Sequence, residues 1–494
     1  MTSTEPILEL YSAAAVRALD LLAGARDGIS EEALMTRAGE AALAELLRRW
    51  PGCGRITVVC GRGNNAGDGY VVASRARVQG LDVRVVQLSA STKLSLHARA
   101  SYKAMCAQGV VPESDLKSID AADILVDAIC GTGLNRDVTG GFARAIERIN
   151  DANVPVLSLD IPSGLHPDTG CSLGVAVRAW ATITFIGVKR GLFTGDGPNY
   201  TGAVVFDDLG ITSATKQQVR AQALLLDRSY LDTRLTPRAR SAHKGSHGHV
   251  LLIGGAPGFS GAIRLAAQGA ARAGSGLVSI ATHPEVAFGV NLQQPELMVH
   301  GVGEPNDLNT LLERANVVAI GPGLGQSGWA QALMAKVLEH RLPLVVDADA
   351  LNLLAVEPAQ YPHWILTPHP GEAARLLGSS VAIVNGDRFA AAEQLQQKFG
   401  GCVVLKGAGS IVEDGQLTAV VRAGNPGMGS GGMGDVLTGV IAGLLAQGQR
   451  LGDAARLGAC IHALAGDLAS IDGERGMLAS DLMPHIRRLV NLLE

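Results

Sequence analysis

Short apolar runs recur along the first half of the chain, each followed by a polar, turn-rich stretch. ITVVC at 56–60, DVRVVQL at 82–88, ILV at 124–126, VPVLSL at 154–159 and ATITF at 181–185 read as strands, and 69–79 reads as a helix. Strands that are apolar throughout and alternate with helices predict a parallel sheet covered on both faces. In such sheets ligands sit beyond the carboxyl ends of the strands, which is where the Gly-, Asn- and Asp-rich segments of this chain fall. The pattern breaks between 212 and 240, where ITSATKQQVRAQ is polar and LDTRLTPRARSAHKGSHGH is basic and turn-rich. A second series follows: strands at 249–253 (HVLLI), 277–281, 317–320, 343–346, 364–366 and 402–405, with helices at 261–273 and 434–447. This predicts two α/β domains, 1–212 and 236–494, with 213–235 as a linker. Their Gly motifs differ in form and position, so they are not repeats.

Composition narrows the classes. The chain has 494 residues, 47% hydrophobic and 18% charged, which excludes global disorder. Its 62 glycines, against a usual ~7% of residues, imply many tight turns and many places where backbone approaches a ligand. Lys+Arg 42 against Asp+Glu 46 gives a net charge of −4, with no basic excess to pair with nucleic acid. The 7 cysteines are widely spaced and form no CxxC, so neither a disulfide framework nor a structural zinc site is indicated, and a reducing cytoplasm is expected. The N-terminus lacks the basic and apolar regions of a signal peptide, and no apolar run is long enough to predict a spanning helix.

The first candidate constellation is GRGNNAGDG at 61–69, which follows a strand and opens a helix. Backbone N–H groups at such a turn face an anion. Asn64, Asn65 and Asp68 add side-chain oxygens suited to a hard cation or a hydroxylated ligand, the bland alternative being Asx capping of a strand–helix turn. Asp127 and Asp160 each end a strand on the same rim, with GTGLNRD (131–137) and Ser163 beside them. Oxygens from Asn65, Asp127 and Ser163 would suit a cation of low charge density, leaving Asp160 as acid or base.

GNNAGDG, DAICGTGLNR, LDIPSGLHPDTG and TFIGVKRGLFTG, in this order, resemble the YjeF N-terminal family, the NAD(P)H-hydrate epimerases, over about 10–210. The resemblance implies a Rossmann-like three-layer fold, a bound potassium ion and interconversion of the two C6 epimers of hydrated NADH and NADPH. It carries potassium ligation to Asn65, Asp127 and Ser163. Substrate contacts carry to Asn64, Asn65, Ala66, Gly67 and Asp68, to Gly131, Thr132, Gly133, Leu134, Asn135, Arg136 and Asp137, and to Asp160. Ala66 stands where the family usually has Gly, which is harmless only if φ is negative.

The second constellation is GNPGMGSGGMGDVLTG at 424–439. Glycines running into a helix start can hold a phosphate or a developing negative charge, and Asp435 in the first turn can face a substrate hydroxyl; helix capping is its bland reading. No GxxxxGK[ST] is present, so this is not a P-loop enzyme. Lys406 ends a strand and offers phosphate a point charge, with Gly407 and Gly409 allowing close approach. Asp347 and Asp349 end another strand, either to hold Mg²⁺ or order the site, or in a purely structural role.

With KGSHGHVLLIGGAPGFSGA, GPGLG, VVDADALNLLA, LTPHPGEAARLLG and VVLKGAGSIV, this half resembles the ribokinase-like superfamily and, within it, the YjeF C-terminal family of NAD(P)H-hydrate dehydratases, over about 236–494. That implies a three-layer α/β/α domain that dehydrates the S hydrate with a nucleotide co-substrate, ADP in bacterial-type members, and Mg²⁺. The resemblance carries substrate contacts to Ala262, Gly325, His369 and Asp435, and nucleotide contacts to Lys406, Gly407, Ala408, Gly409, Ser410 and Gly434. The expected partners are NADHX, NADPHX and ADP, with a homo-oligomer and no membrane. The competing readings are a hydroxymethylpyrimidine- or thiazole-type kinase with a regulatory N-terminal domain, and a non-enzymatic scaffold like the mRNA-decapping relative of the epimerase. Roles for Asp347, Asp349 and Lys189 stay open in the sequence.

Overall fold

The computed structural model describes residues 7–290, 292 and 294–493. The chain divides into two compact units at Ala223/Leu224, with Leu8 counted in the second. Among the described residues no helix is long and apolar enough to cross a membrane.

In the first unit the strands are β1 (Glu9–Tyr11), β2 (Arg55–Cys60), β3 (Asp82–Gln87), β4 (Ile124–Ala128), β5 (Val156–Leu159), β6 (Ala181–Phe185), β7 (Val188–Lys189) and β8 (Ala203–Asp207). Six of them form a parallel sheet in the order β3-β2-β4-β5-β6-β8. Successive residues serve opposite faces: Val58, Val126 and Leu157 enter one apolar cluster, and Val59, Leu125 and Val156 enter another. β2 is flanked by β3 on one side and β4 on the other, so the direction of winding reverses there. The crevice beyond the carboxyl ends of β2 and β4 is therefore the expected ligand position.

Out of β2 the chain enters the helix Asn64–Val78, which starts five residues before the predicted 69–79. The glycines that read as a loop are helical. Gly67 and Gly69 do not have positive φ; they are small because a Cβ on Gly67 would lie 2.4 Å from Met35 Sδ and one on Gly69 2.6 Å from Ala128 Cβ.

In the second unit β9 (Ala223–Leu226), β10 (His249–Ile253), β11 (Leu277–Thr282), β12 (Met298–Gly301), β13 (Val317–Ile320), β14 (Leu344–Val346), β15 (Trp364–Leu366), β16 (Cys402–Leu405), β17 (Ile411–Glu413) and β18 (Thr418–Val421) lie in the order β12-β11-β10-β13-β14-β15-β16-β17-β18-β9. Pairing is parallel from β12 to β16, antiparallel through β17 and β18, and parallel again to β9. Residues 213–235, read as a linker, carry a short helix Ser213–Lys216, the apolar strand β9 and a helix Arg228–Arg234. The helix Met433–Ala446 is apolar on all sides and buried along most of its length, as expected of a central helix. It packs on the helix Ser260–Ala273 through small residues: a Cβ on Gly439 would lie 1.8 Å from the Ala266 carbonyl oxygen. That close crossing fixes where its N-terminus points.

Candidate active sites

In the first unit, a cavity of about 980 Å³ opens at the β2/β4 switch point. Asn64, Asn65 and Asp68 reach it from the first turns of the helix Asn64–Val78, Gly131 to Asp137 from the loop after β4, and Asp160 from the end of β5. Ala66 is fully buried on the core side of its helix, without positive φ, and Gly67 packs on Met35. Neither lines the cavity.

Asn65 and Cys130 line the cavity, and Asp127 and Ser163 lie buried behind them. The fully buried Asp127 carboxylate accepts from Ser163 Oγ (2.6 Å), Ser163 N–H (2.8 Å), Ser158 Oγ (2.8 Å) and Ile129 N–H (3.2 Å). Burial raises its pKa and those bonds oppose the rise. Asn65 Nδ2 donates to the Cys130 carbonyl at 3.0 Å, while Asn65 Oδ1 is buried with no partner. A buried, unpaired amide oxygen beside a carboxylate, a hydroxyl and a backbone carbonyl is a donor set that fits a large monovalent cation.

Asp160 sits at φ +66°, a left-handed conformation rare for a side chain with a Cβ. Its N–H donates to the Ile183 carbonyl at 2.7 Å, and its carboxylate accepts from Lys189 Nζ. Lys189, 1% exposed, also donates to the Phe185 carbonyl at 2.9 Å and to Thr184 Oγ1 at 3.2 Å. Lys189, whose role the sequence left open, is thus ion-paired with Asp160. Two further carboxyls face that pair. Asp68 is raised well above the usual range, first by burial and then by Asp160 and Asp20. Asp20, from the helix Ala13–Asp27, is pushed up to about 6, chiefly by burial. Asp20 gave no signal in sequence, since a single Asp in ALDLLAG reads as one polar position on an amphipathic helix.

In the second unit, the switch point lies between β11 and β13, on either side of β10. Here Gly323 (φ +59°) lets the GPGLG loop press on the helix Ser260–Ala273, where its Cβ would lie 3.2 Å from Ala262 Cβ. Gly325 N–H donates to Asp349 Oδ2 at 2.8 Å. Asp435 stands in the first turn of Met433–Ala446, whose N-cap Gly432 has φ +92°. Burial and then the Asp347 charge push Asp435 up to about 7, with Lys406 pulling the other way. Lys406 Nζ donates to Asp347 Oδ1 at 2.8 Å, and Thr438 Oγ1 donates to Asp347 Oδ2 at 2.7 Å. Glu372 lies 3.8 Å from the same ammonium. Beyond Lys406, Gly407 (φ +140°) and Gly409 (φ +60°) turn the 406–410 loop, and Ser410 Oγ donates to the Gly407 carbonyl at 3.1 Å.

His369 caps the helix Pro370–Leu377: its Nδ1 accepts from Gly371 N–H at 2.9 Å, while about half of its side chain stays exposed. Asp347 and Asp349 are committed to Lys406, Thr438 and Gly325. Among the described residues no group of three or more His, Cys, Asp or Glu side chains could hold a metal. These residues alone therefore do not fit a protein-built magnesium cage.

A family model described as YjeF-related protein N-terminus matches residues 31–191, and one described as NAD(P)H-hydrate dehydratase matches 250–488. A bifunctional NAD(P)H-hydrate repair enzyme of Coxiella burnetii is 49% identical over 98% of this chain and 99% of its own. The chain belongs to the family of bifunctional NAD(P)H-hydrate repair enzymes. The Escherichia coli repair enzyme is 42% identical over 94% of this chain and 90% of its own. The ADP/ATP-dependent NAD(P)H-hydrate dehydratase of Bacillus subtilis, co-crystallized with ATP/Mg²⁺, superposes with a TM-score of 0.50 at 29% identity, over 54% of this chain and 97% of that one. These matches displace the kinase and scaffold readings, because the repair-enzyme relatives align along both units.

Two residues of this repair enzyme's second site had no separate signal in sequence. Glu372 closes a capping box with His369 and faces Lys406. His462, on the helix Leu451–Ala469, is buried beside the Met433 backbone and lowered to about 4 by burial, and its Nε2 has no partner. The GD motif marks the helix start but not the side chains that pack beneath it.

Proposed function

We propose that the second unit dehydrates the S epimer of hydrated NADH or NADPH at the expense of ADP, giving AMP and phosphate, and that the first unit interconverts the R and S epimers. The observation that carries the first part is Asp435, a carboxyl raised to about 7 at a helix N-terminus, facing the Lys406–Asp347 pair. Hydroxide is a poor leaving group. Asp435 takes the C6 hydroxyl proton as that oxygen attacks the terminal phosphorus of ADP, and AMP departs. Lys406 and the N–H groups at the helix start offset the charge on the moving phosphoryl group. The ring nitrogen lone pair then expels phosphate, and loss of a C5 proton restores the reduced nicotinamide ring. Mg²⁺ carried on the nucleotide would screen its phosphates, and this chain's own charge beside them would be Lys406.

In the first unit, Asn65, with Ser163 and Asp127 behind it, would hold potassium at the cavity floor, a fixed positive charge that helps place the substrate's polar groups. The Lys189-paired Asp160 is the base for epimerisation. Adding ADP to the S hydrate and recording reduced-cofactor absorbance tests the dehydratase; no signal with either ADP or ATP overturns it. Loss of R-to-S conversion in Asp160→Ala, with S dehydration intact, tests the epimerase.

A further inference from the structure

We infer that Asp20 is the proton donor of the epimerase reaction, delivering its proton to ring nitrogen N1 of the hydrate while Asp160 takes the C6 hydroxyl proton. This rests on the epimerase reading of the first unit. The placement comes from the backbone. β1 pairs with β7 in parallel register, Tyr11 opposite Lys189, and the helix Ala13–Asp27 follows β1 directly. At Gly187, just before β7, an added Cβ would lie 3.1 Å from Val16 Cγ2. Val16 is therefore pressed against the strand that carries Lys189. Asp20 is one helical turn further along the same face, and it lines the cavity together with Asp68, Asp160 and Lys189.

The groups facing Asp20 come from four elements and one loop: Lys189 on β7, Asp160 in the loop after β5, Asp68 on the helix Asn64–Val78, Glu31 on the helix Glu31–Arg49, and Arg17 on its own helix. Only Asp160 has Lys189 as a direct ion-pair partner. The others share one apolar-walled cavity with that ionised pair. Neighbouring carboxyls in unlike environments differ in how readily they hold a proton, which is the difference an acid–base pair needs. Asp20, pushed up to about 6, exchanges its proton near neutral pH, whereas Asp68 is held more firmly in the protonated form.

The step balances without any further reactant. Asp160 carboxylate takes the hydroxyl proton, and the O–H electron pair forms C6=O. The C6–N1 bond breaks, its pair passes to nitrogen, and N1 takes the proton from Asp20. The ring-opened aldehyde turns about C5–C6 and presents its other face. N1 then returns its proton to Asp20 and attacks C6, and the carbonyl oxygen recovers its proton from Asp160. The opposite epimer results, with both carboxyls restored.

The test uses the full chain and the purified R hydrate without nucleotide, following the R/S ratio by chromatography across pH. The wild type should lose epimerisation kcat as pH rises and Asp20 gives up its proton. Asp20→Asn should lower kcat by about 100-fold or more, with KM within about threefold, and should lack that alkaline limb. Asp20→Glu should keep the limb with a smaller loss. Unchanged turnover of the S hydrate with ADP, and an unchanged unfolding midpoint, show that the variants are folded. If Asp20→Asn keeps the alkaline limb, or raises KM alone, the assignment is overturned. If the wild type itself does not epimerise, it is the epimerase reading that fails.

Discussion

Lys406 Nζ lies 2.8 Å from Asp347 Oδ1, and this pair forms the floor under the first turn of the helix Met433–Ala446. A Cβ on Gly434 would sit 3.2 Å from that Nζ and 3.7 Å from Asp347 Oδ2. Gly434 has helical φ, so the glycine serves space and not conformation. Gly434→Ala should therefore fold normally and bind nucleotide less well. The expected result is an unchanged melting temperature with a rise in KM for ADP of about tenfold, roughly the 1.4 kcal/mol of one crowded phosphate contact; an unchanged KM would show that phosphate does not approach this turn.

Asp435→Asn should cut S-hydrate turnover by about 10²–10⁴, read as reduced-cofactor absorbance with ADP, and leave R-to-S conversion intact. It should also change the pH dependence of stability. Asp435 is raised from 3.8 to about 7, so folding favours its protonated form. That contribution is complete below the ordinary carboxylate range and is lost as pH rises through about 7. The asparagine variant should match the wild type in melting temperature at about pH 4 and exceed it at about pH 8.

Lys406→Met leaves Asp347, 1% exposed, with Thr438 but without its cation. Removing one partner of a buried pair costs about 3–5 kcal/mol, more than the methionine stem regains by packing. Chemical denaturation should report a loss of that order, together with loss of dehydratase activity.

Asn65 Oδ1 is the buried oxygen without a partner at the cavity floor. If potassium binds there, the wild-type unfolding midpoint should rise in potassium chloride relative to tetramethylammonium chloride at equal ionic strength. Asn65→Ala should abolish that difference, because the Asp127–Ser163 network is already satisfied internally.

Gly69→Ala probes the helix that the sequence misplaced. Alanine would gain about 1 kcal/mol of helix propensity, but its Cβ would meet Ala128 Cβ at 2.6 Å and Cys60 Sγ at 3.1 Å. Overpacking of about 1–3 kcal/mol should win, and the melting temperature should fall.

Much of the first site was legible from strand ends. Asp127 lies in β4, Asp160 follows β5, and both sit where apolar runs stop, so a parallel sheet brings them to one rim. The helix start at Asn64 was not legible, because glycine marks both turns and close packing, and only the neighbours Met35 and Ala128 tell which applies. In the second unit Lys406 was visible as a strand end, and Asp435 because glycines run into the start of its helix. Glu372 and His462 carry no motif of their own, and only the structure places them beside the Lys406 ammonium and the Met433 backbone.

Two α/β units, the loops that carry the chemistry and the family resemblance were already present in the residue order, because apolar periodicity and strand-end motifs are local properties of the chain. The fold in three dimensions set which carboxyls pair with a lysine, Asp160 with Lys189 and Asp347 with Lys406, and which burial raises beside them, Asp20 and Asp435. Protonation follows from burial and from charges contributed by distant segments, and no single stretch of sequence contains those distances.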